Sequence, residues 1–224
     1  MKLRNLTPVA AAVALAVGSL TVTTAAEAGV SGSIGVSNFY LWRGSDASGG
    51  VAQVSGEIKY THSSGAYIAE WMSNTADDNE NNFYAGYGLS AGSVDLDFSV
   101  WNITYPRKAY TTNKTIYQTN VTEFVASISA SDFNTTWVFD IDPDSENKYK
   151  YISVGYGKDA YSATIGKWIG DEDKGMTTYG HVTLGYAISD ELTFSVNKAF
   201  GGQPEEVNKE LLTNIAWSKS FDVK

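Results

Sequence analysis

Residues 94–100, VDLDFSV, alternate strictly between apolar and polar side chains. Leu96 and Phe98 would lie on one face of a β-strand and Asp95 and Asp97 on the other, because successive side chains of a strand point in opposite directions. The same period of two recurs in FNTTWVFDI and HVTLGYAI further along the chain. The sequence therefore predicts strands that each have one apolar and one polar face.

Along the whole sequence, the same alternation predicts twelve strands. The connections between these strands alternate in length. Dipeptides such as SS, AG, SD and KD form tight turns after every second strand, because they consist of turn-forming residues. Longer polar loops such as NTADDNEN and GDEDKG lie between these turns. The predicted strands span residues 30–43, 50–62, 65–73, 82–90, 93–104, 120–130, 132–141, 148–157, 160–169, 176–188, 191–200 and 211–221.

The beginning of the chain has the three-part pattern of a secretory signal peptide. Positive charges precede an apolar run, and small residues, including Ala26 and Ala28, follow it. A membrane-anchoring helix is the alternative, but the apolar run is short for a span. We expect a signal peptide over residues 1–28 and one exported domain over residues 29–224.

The composition limits the kinds of site that the chain can build. It has 224 residues, no cysteine, two histidines and a formal net charge of −9. Disulfides and cysteine-ligated metals are therefore impossible, and the clustered cations that bind nucleic acid are missing. We expect no nucleic-acid partner, no cofactor and no bound metal. The acidic loops leave weak surface binding of calcium open, although they lack the ordered spacing of a calcium loop.

The alternation of short turns and long loops favours a membrane barrel over a soluble sandwich. Outer-membrane barrels have an even number of strands, short periplasmic turns and longer external loops, and tilted strands of about ten residues cross a bilayer. A β-sandwich would mix loop lengths and use Greek-key crossings. We predict an all-β, antiparallel, up-and-down transmembrane β-barrel of about 12 strands. It would lie in a Gram-negative outer membrane, surrounded by outer-membrane lipid and lipopolysaccharide.

The stretch SNFYLWRGSDASGG, residues 37–50, places three aromatic residues next to an arginine and a polar loop. In a barrel, Tyr40 and Trp42 would reach the outer interface on the lipid face, where amphipathic rings form a girdle. Arg43, of opposite parity, would then turn into the lumen or its rim. The glycine and serine residues after it would form the first external loop.

The strand residues that alternate with the apolar ones would face inward and line the lumen. Among these residues, carboxylates outnumber cations. The turn at Ser63–Ser64 would place Glu57 opposite Glu70, and facing like charges need a cation, a shared proton or water. This arrangement favours a cation-attracting constriction, or alternatively a polar network that only stiffens the wall. The predicted lumen and solute-binding residues are Arg43, Glu57, Lys59, Glu70, Asp95, Asp97, Glu123 and Asp140.

Two lysines interrupt the apolar faces of the predicted strands. Lys167 and Lys198 have outward parity near the external ends of their strands. Near the interface, where a charge costs little, they could meet anionic lipid headgroups. A bulge near Gly166 would instead turn Lys167 inward.

The N-terminal half resembles a known family at SNFYLWRGSDASGGVAQVSGEIKYTHSSGAYIAEWMSN and FYAGYG. It is similar to the TorF-type porins, small proteobacterial outer-membrane proteins also described as a glycine-x-tryptophan family of unknown function. The resemblance covers residues 30–105, and Ala69 stands where the family's motif has a glycine. It implies a signal peptide, an outer-membrane barrel and a pore with no assigned substrate or catalytic residue.

These observations predict a porin that passes small polar or cationic solutes by diffusion through a narrow lumen. The small inward residues predicted for the first strand, such as Ser31 and Ser33, leave room for a pore. A non-conducting structural or adhesive barrel and a secreted sandwich that binds carbohydrate are the alternatives. We do not expect an enzyme, because neither His62 nor His181 has an evident catalytic partner.

Overall fold

The computed structural model describes residues 28–106, 121–143, 145, 148–202 and 208–223. Apart from Ala28, the predicted signal peptide lies outside these residues, as does most of the predicted loop at 105–119. No helix in the described ranges is long and apolar enough to cross a membrane.

Twelve antiparallel strands close into a barrel, and two short strands pair separately inside the first long loop. The strands are β1 (Gly29–Ser37), β2 (Leu41–Trp42), β3 (Ser45–Asp46), β4 (Gln53–Thr61), β5 (Ala66–Asn74), β6 (Asn79–Ala91), β7 (Val94–Thr104), β8 (Val121–Ala130), β9 (Phe133–Asp140), β10 (Tyr149–Lys158), β11 (Tyr161–Gly170), β12 (Tyr179–Ala187), β13 (Leu192–Gly201) and β14 (Leu211–Val223). Strand β1 completes the circle by pairing with both β4 and β14.

This architecture confirms the predicted twelve-stranded antiparallel barrel and is not the two-layer sandwich. The strand bounds agree closely because alternation is a local property of each segment. The first strand differs most, since β1 ends at Ser37 and not at residue 43. Strand β6 also begins at Asn79, before the predicted residue 82.

The outer surface of the barrel is apolar and exposed. Ile58 on β4 is 54% exposed and Leu184 on β12 is 51% exposed, whereas Asp97 on β7 is buried inside. A water-soluble protein does not leave so continuous an apolar surface in water. Outward apolar residues and inward polar residues are the arrangement of a transmembrane β-barrel.

The two ends of the barrel differ in their connections. At the short-turn end, strands are joined by two to four residues, and β1 begins and β14 ends there. At the other, the long-loop end, the connections include residues 38–52 and 171–178. A 3₁₀ turn at Glu172–Lys174 is part of the second of these loops.

The turn between β4 and β5 contains one residue more than predicted. His62 N–H donates to the Ala66 carbonyl at 2.8 Å, and Gly65 N–H donates back to the His62 carbonyl at 2.9 Å. Gly65 has a φ of 96°, which suits a three-residue hairpin loop ending in a left-handed glycine. The loop is therefore Ser63 to Gly65 and not the Ser63–Ser64 pair.

This extra residue overturns the prediction that Glu57 faces Glu70. Glu57 pairs with Trp71, and Glu70 pairs with Ile58. A shift of one residue moves a side chain to the opposite face of the sheet. Glu70 is consequently on the outward face with Ile58, and it does not line the lumen.

Candidate functional site

The loop between β1 and β4 folds into the barrel instead of away from it. We call residues 38–52 the lumen hairpin. Phe39, Tyr40 and Leu41 are buried, and Ser48 is completely enclosed. The segment therefore occupies the long-loop half of the lumen.

The prediction that Tyr40 and Trp42 face lipid is wrong. The strand alternation stops at Ser37, whose hydroxyl donates to the Phe39 carbonyl at 2.7 Å. The Asn214 amide on β14 donates to the same carbonyl at 2.9 Å. These hydrogen bonds hold the chain where it turns inward, so both aromatic rings enter the lumen.

A two-residue turn forms the tip of the lumen hairpin. Trp42 pairs with Ser45, which leaves Arg43 and Gly44 as the connecting residues. Their φ angles are 47° and 85°, and two successive positive values are typical of a type I′ turn. Such a φ is uncommon for a non-glycine residue and costs about 1–3 kcal/mol, so the surrounding contacts must hold Arg43 in place.

Arg43 makes a buried, bidentate ion pair with Glu123 on β8. Its Nη1 and Nη2 each lie 2.7 Å from one carboxylate oxygen of Glu123. The two side chains are 4% and 2% exposed. The Tyr149 hydroxyl on β10 also donates to Glu123 at 2.7 Å, which adds a third hydrogen bond to this carboxylate. Arg43 and Glu123, both predicted to face inward, are thus paired with each other inside the barrel.

Aromatic rings surround the Arg43 guanidinium. Its Cζ lies 4.4 Å from the centroid of Trp42, 5.3 Å from that of Tyr151 and 5.7 Å from that of Trp168. Burial disfavours the charged form, but the adjacent carboxylate outweighs burial and raises the pKa of Arg43. The guanidinium therefore stays charged, and its charge is neutralised inside the lumen.

The other side of the hairpin tip docks on β12 and β13. The Asn197 amide donates to the Gly44 carbonyl at 2.9 Å, and the Tyr179 hydroxyl donates to the Arg43 carbonyl at 3.2 Å. A side chain at position 44 would place its Cβ 2.3 Å from Cγ of His181. Only glycine fits here. The tip consequently spans the lumen from β8 to β13.

The base of the lumen hairpin has its own hydrogen-bond network. One oxygen of Asp46 accepts the Ser48 N–H at 2.9 Å, and the other accepts the Gly50 N–H at 2.6 Å. The Ser48 hydroxyl accepts the Tyr40 N–H at 2.8 Å and donates to the Val51 carbonyl at 2.6 Å. These bonds fix the shape of the segment independently of the barrel wall.

Aromatic side chains fill most of the remaining space in this half of the lumen. Tyr40 lies 5.7 Å from Trp71 between ring centroids, and Trp42 lies 5.2 Å from Trp168. Above the hairpin, towards the long-loop end, a pocket of about 430 Å³ opens outward. It is lined by Trp42, Ser45, Ala47, Trp168, Gly175, Met176, Thr177 and Tyr179.

The short-turn half of the lumen is more polar and contains a second cluster of charged residues. The Tyr84 hydroxyl donates to Glu57 at 2.5 Å, and the Tyr67 hydroxyl donates to Asp97 at 2.7 Å. The amine of Lys59 lies 3.9 Å from the centroid of the Tyr67 ring. Glu57 is only partly buried, so this carboxylate is accessible from the lumen.

The structure divides the predicted lumen residues into separate groups. Arg43 and Glu123 meet at the hairpin tip, next to the strand position of Asp140. Asp140 itself accepts the Asp142 N–H at 2.9 Å, and Lys148 lies 3.7 Å from it. Glu57, Lys59 and Asp97 form the second cluster, Asp95 binds Ser90 near the short-turn end at 2.6 Å, and Glu70 faces outward.

Glu80 is a lumen residue that sequence analysis missed. It is buried on β6, where the Asn82 amide donates to it at 2.8 Å and the Tyr105 hydroxyl at 3.2 Å. The strong polarity of NTADDNEN predicts a loop at this position. The signal that could have identified Glu80 is its alternation with Asn82 and Tyr84, which extends the strand by one more inward position.

The described residues contain no group of three or more His, Asp or Glu side chains that could hold a metal ion. His181 binds the Tyr151 hydroxyl at 2.9 Å and the Thr183 hydroxyl at 3.2 Å, and it packs against Gly44. Its contacts are therefore those of a wall residue that supports the hairpin tip.

Solved structures are similar to this chain at low sequence identity. One, described as "Unveiling the Mechanism Behind the in-meso Crystallization of Membrane Proteins", is 11% identical with a TM-score of 0.55, and the match covers 88% of this chain and 84% of that one. The KdgM porin is 8% identical with a TM-score of 0.48, covering 87% and 99% of the two chains. OpdK from Pseudomonas aeruginosa is 8% identical with a TM-score of 0.46, covering 76% and 58%.

No curated protein matches the chain. A family model does match, over residues 21–203, and its description is "Bacterial protein of unknown function (Gcw_chp)". The match includes the lumen hairpin, Glu123 and the docking strands β12 and β13. Because it covers well over half of the sequence, the chain belongs to the Gcw_chp family.

Proposed function

We propose that the protein is an outer-membrane diffusion channel for small polar solutes, with a preference for cations, and that the lumen hairpin forms its constriction. The observation that carries this proposal is the hairpin tip, which spans a polar lumen inside an apolar-faced barrel from Glu123 to Asn197. A segment in that position would narrow the path through the barrel. Solutes would pass beside it.

The charges in the lumen support a preference for cations. Arg43 is neutralised by Glu123, so the constriction has no unpaired cation of its own among the described residues. In the short-turn half, the cluster contains two carboxylates, Glu57 and Asp97, but one amine, that of Lys59. Rings of carboxylates favour cations in channels. The excess of acids among the described lumen residues acts in the same direction.

Conductance of the refolded protein in planar bilayers tests this proposal. We expect small, steady currents and a reversal potential in a salt gradient that shows cation preference. A variant in which a short glycine and serine linker replaces residues 39–48 should conduct more than wild type, because the constriction is removed. A hairpin-less barrel that conducts no better than wild type would contradict a constriction at this position.

A non-conducting barrel is the second candidate, and the packing of the long-loop half favours it. The hairpin tip is fastened on both sides, and aromatic rings pack around it. If this packing seals the lumen, wild type will carry no current while the hairpin-less variant does. The same experiment therefore separates a constricted channel from a plugged barrel.

A further inference from the structure

Three lysines lie on the outward face of the barrel near the long-loop end. These are Lys150 on β10, Lys167 on β11 and Lys198 on β13. All three are exposed, and each lies on the same face of its strand as the lipid-facing residues. Lys150 pairs with Ile169, and Ile152 pairs with Lys167, so the two lysines are diagonal neighbours about 7–8 Å apart. We call these three residues the lysine flank.

The surroundings of the lysine flank are apolar. Ile152 is 38% exposed, Ile169 is 38% exposed and Phe200 is 49% exposed on the same face. Over the described ranges, Lys150 and Lys167 have no ion-pair partner. The Lys198 amine donates to the Lys209 backbone carbonyl, which leaves its charge without a counter-ion there.

The flank is confined to one side of the barrel. The described residues of β1 and β4 to β8 include no outward lysine or arginine, and that side instead carries the outward Glu70. Among the described outward residues of β9 to β13 there is no carboxylate. Uncompensated positive charge is therefore concentrated on the surface of four adjacent strands.

A lysine on a lipid-facing surface needs water or an anion within reach of its side chain. An ammonium costs about 2–4 kcal/mol at the bilayer midplane and little near the interface. Lysine side chains extend towards the interface, where headgroups lie. Near the ends of the strands and between exposed isoleucine and phenylalanine side chains, a lipid phosphate would be such an anion.

We propose that the lysine flank binds the phosphate groups of anionic lipid headgroups in the leaflet at the long-loop end. This inference rests on the membrane location in the proposed function, but not on conductance. The flank would select anionic over zwitterionic lipids on one side of the barrel. It would thereby determine which lipids surround this side of the barrel in the membrane.

Tryptophan quenching by brominated lipids tests this proposal. Trp137 lies on the outward face of β9, and its partner Ile152 pairs with Lys167. Trp217 is also outward but lies beside the short turn between β12 and β13, where it pairs with Leu192 and its indole N–H donates to Glu191 at 3.1 Å. Trp217→Phe therefore leaves Trp137 as the lipid-facing reporter on the flank side. The barrel is refolded into phosphatidylcholine vesicles with increasing brominated phosphatidylglycerol, and the relative affinity of the anionic lipid is read from the quenching.

In the Trp217→Phe background, replacing Lys150, Lys167 and Lys198 by glutamine should lower the relative affinity for phosphatidylglycerol. We expect about fivefold for each lysine, since a basic residue near an anionic surface contributes roughly that factor. Lys158→Gln at the short-turn end of β10 is the matched control and should leave the quenching at Trp137 unchanged.

Equal affinities of the triple variant and its parent would overturn the proposal. So would a loss of lipid selectivity caused by inorganic phosphate, which would indicate a site for the free anion. If no brominated lipid quenches Trp137 and the protein shows no shift in gel migration on boiling, the barrel is not in the bilayer, and the proposed function falls together with this inference. Quenching that is normal but insensitive to the lysines overturns this inference alone.

Discussion

Arg43 combines three features in one residue: a positive φ, a buried side chain and a bidentate ion pair. Its φ is 47°, and its side chain is 4% exposed next to Glu123. A strained backbone persists only where other contacts hold it. Here those contacts come from the wall strands β8 and β10 to β13. The ion pair of Arg43 with Glu123 thus anchors the tip of the lumen hairpin on the barrel wall.

Replacing Arg43 alone should destabilise the folded barrel. Arg43→Met leaves the Glu123 carboxylate buried without its partner, which costs about 3–5 kcal/mol for a buried pair. Arg43→Met with Glu123→Met removes both charges and should recover most of that loss. The temperature at which each variant loses its folded gel mobility measures the effect. Equal temperatures for the single and double variants would contradict the claim that the unpaired Glu123 carboxylate causes the loss of stability.

Gly44 gives a test of docking that leaves all charges in place. Gly44→Ala should displace the hairpin tip, because the new Cβ would lie 2.3 Å from Cγ of His181. We expect a conductance above that of wild type. Gly50→Ala is the control, since Gly50 has a comparable φ of 80° but no atom within 4 Å of the place that a methyl group would take. Both variants carry similar backbone strain, so a difference between them isolates the docking contact.

At the scale of elements, sequence patterns predict the strands but not every register or loop. Alternation identifies a strand from its own residues, which is why β7 and β9 agree with the predicted segments. The face of Glu70 depends instead on a single left-handed glycine, Gly65, in the preceding turn. The inward course of the lumen hairpin depends on contacts between Arg43 and Glu123, 80 positions apart. No local pattern encodes such a pair.

The register of β5 predicts which acids influence ion selectivity. Glu57→Gln and Asp97→Asn should each reduce cation preference, because both carboxylates face the lumen beside Lys59. Glu70→Gln should have no effect, since Glu70 faces outward with Ile58. Reversal potentials in a salt gradient compare the three variants. A shift in the Glu70 variant equal to that of the Glu57 variant would show that this register is wrong.

At the scale of the whole molecule, polarity is reversed relative to a soluble protein. The exposed surface carries isoleucine, valine and phenylalanine, while carboxylates, amides and a guanidinium are enclosed. Closure lets every strand of the barrel pair on both sides, so no strand edge needs water. The apolar outside requires lipid, and the polar inside requires either water or the partners that the lumen hairpin supplies. Both requirements follow from the same period of two.

Adjacent residues of β1 should therefore respond in opposite ways to a new charge. Ile34 is 49% exposed on the outside, and Ser33 lies inside, opposite Glu57. Ile34→Lys should destabilise the barrel in a bilayer by up to about 2–4 kcal/mol, because it adds an ammonium to the lipid-facing surface, opposite that of Lys219. Ser33→Lys places the same group next to a carboxylate and should cost much less. Unfolding by urea in phosphatidylcholine vesicles compares the two, and similar losses of stability would mean that the outside of this barrel does not face lipid.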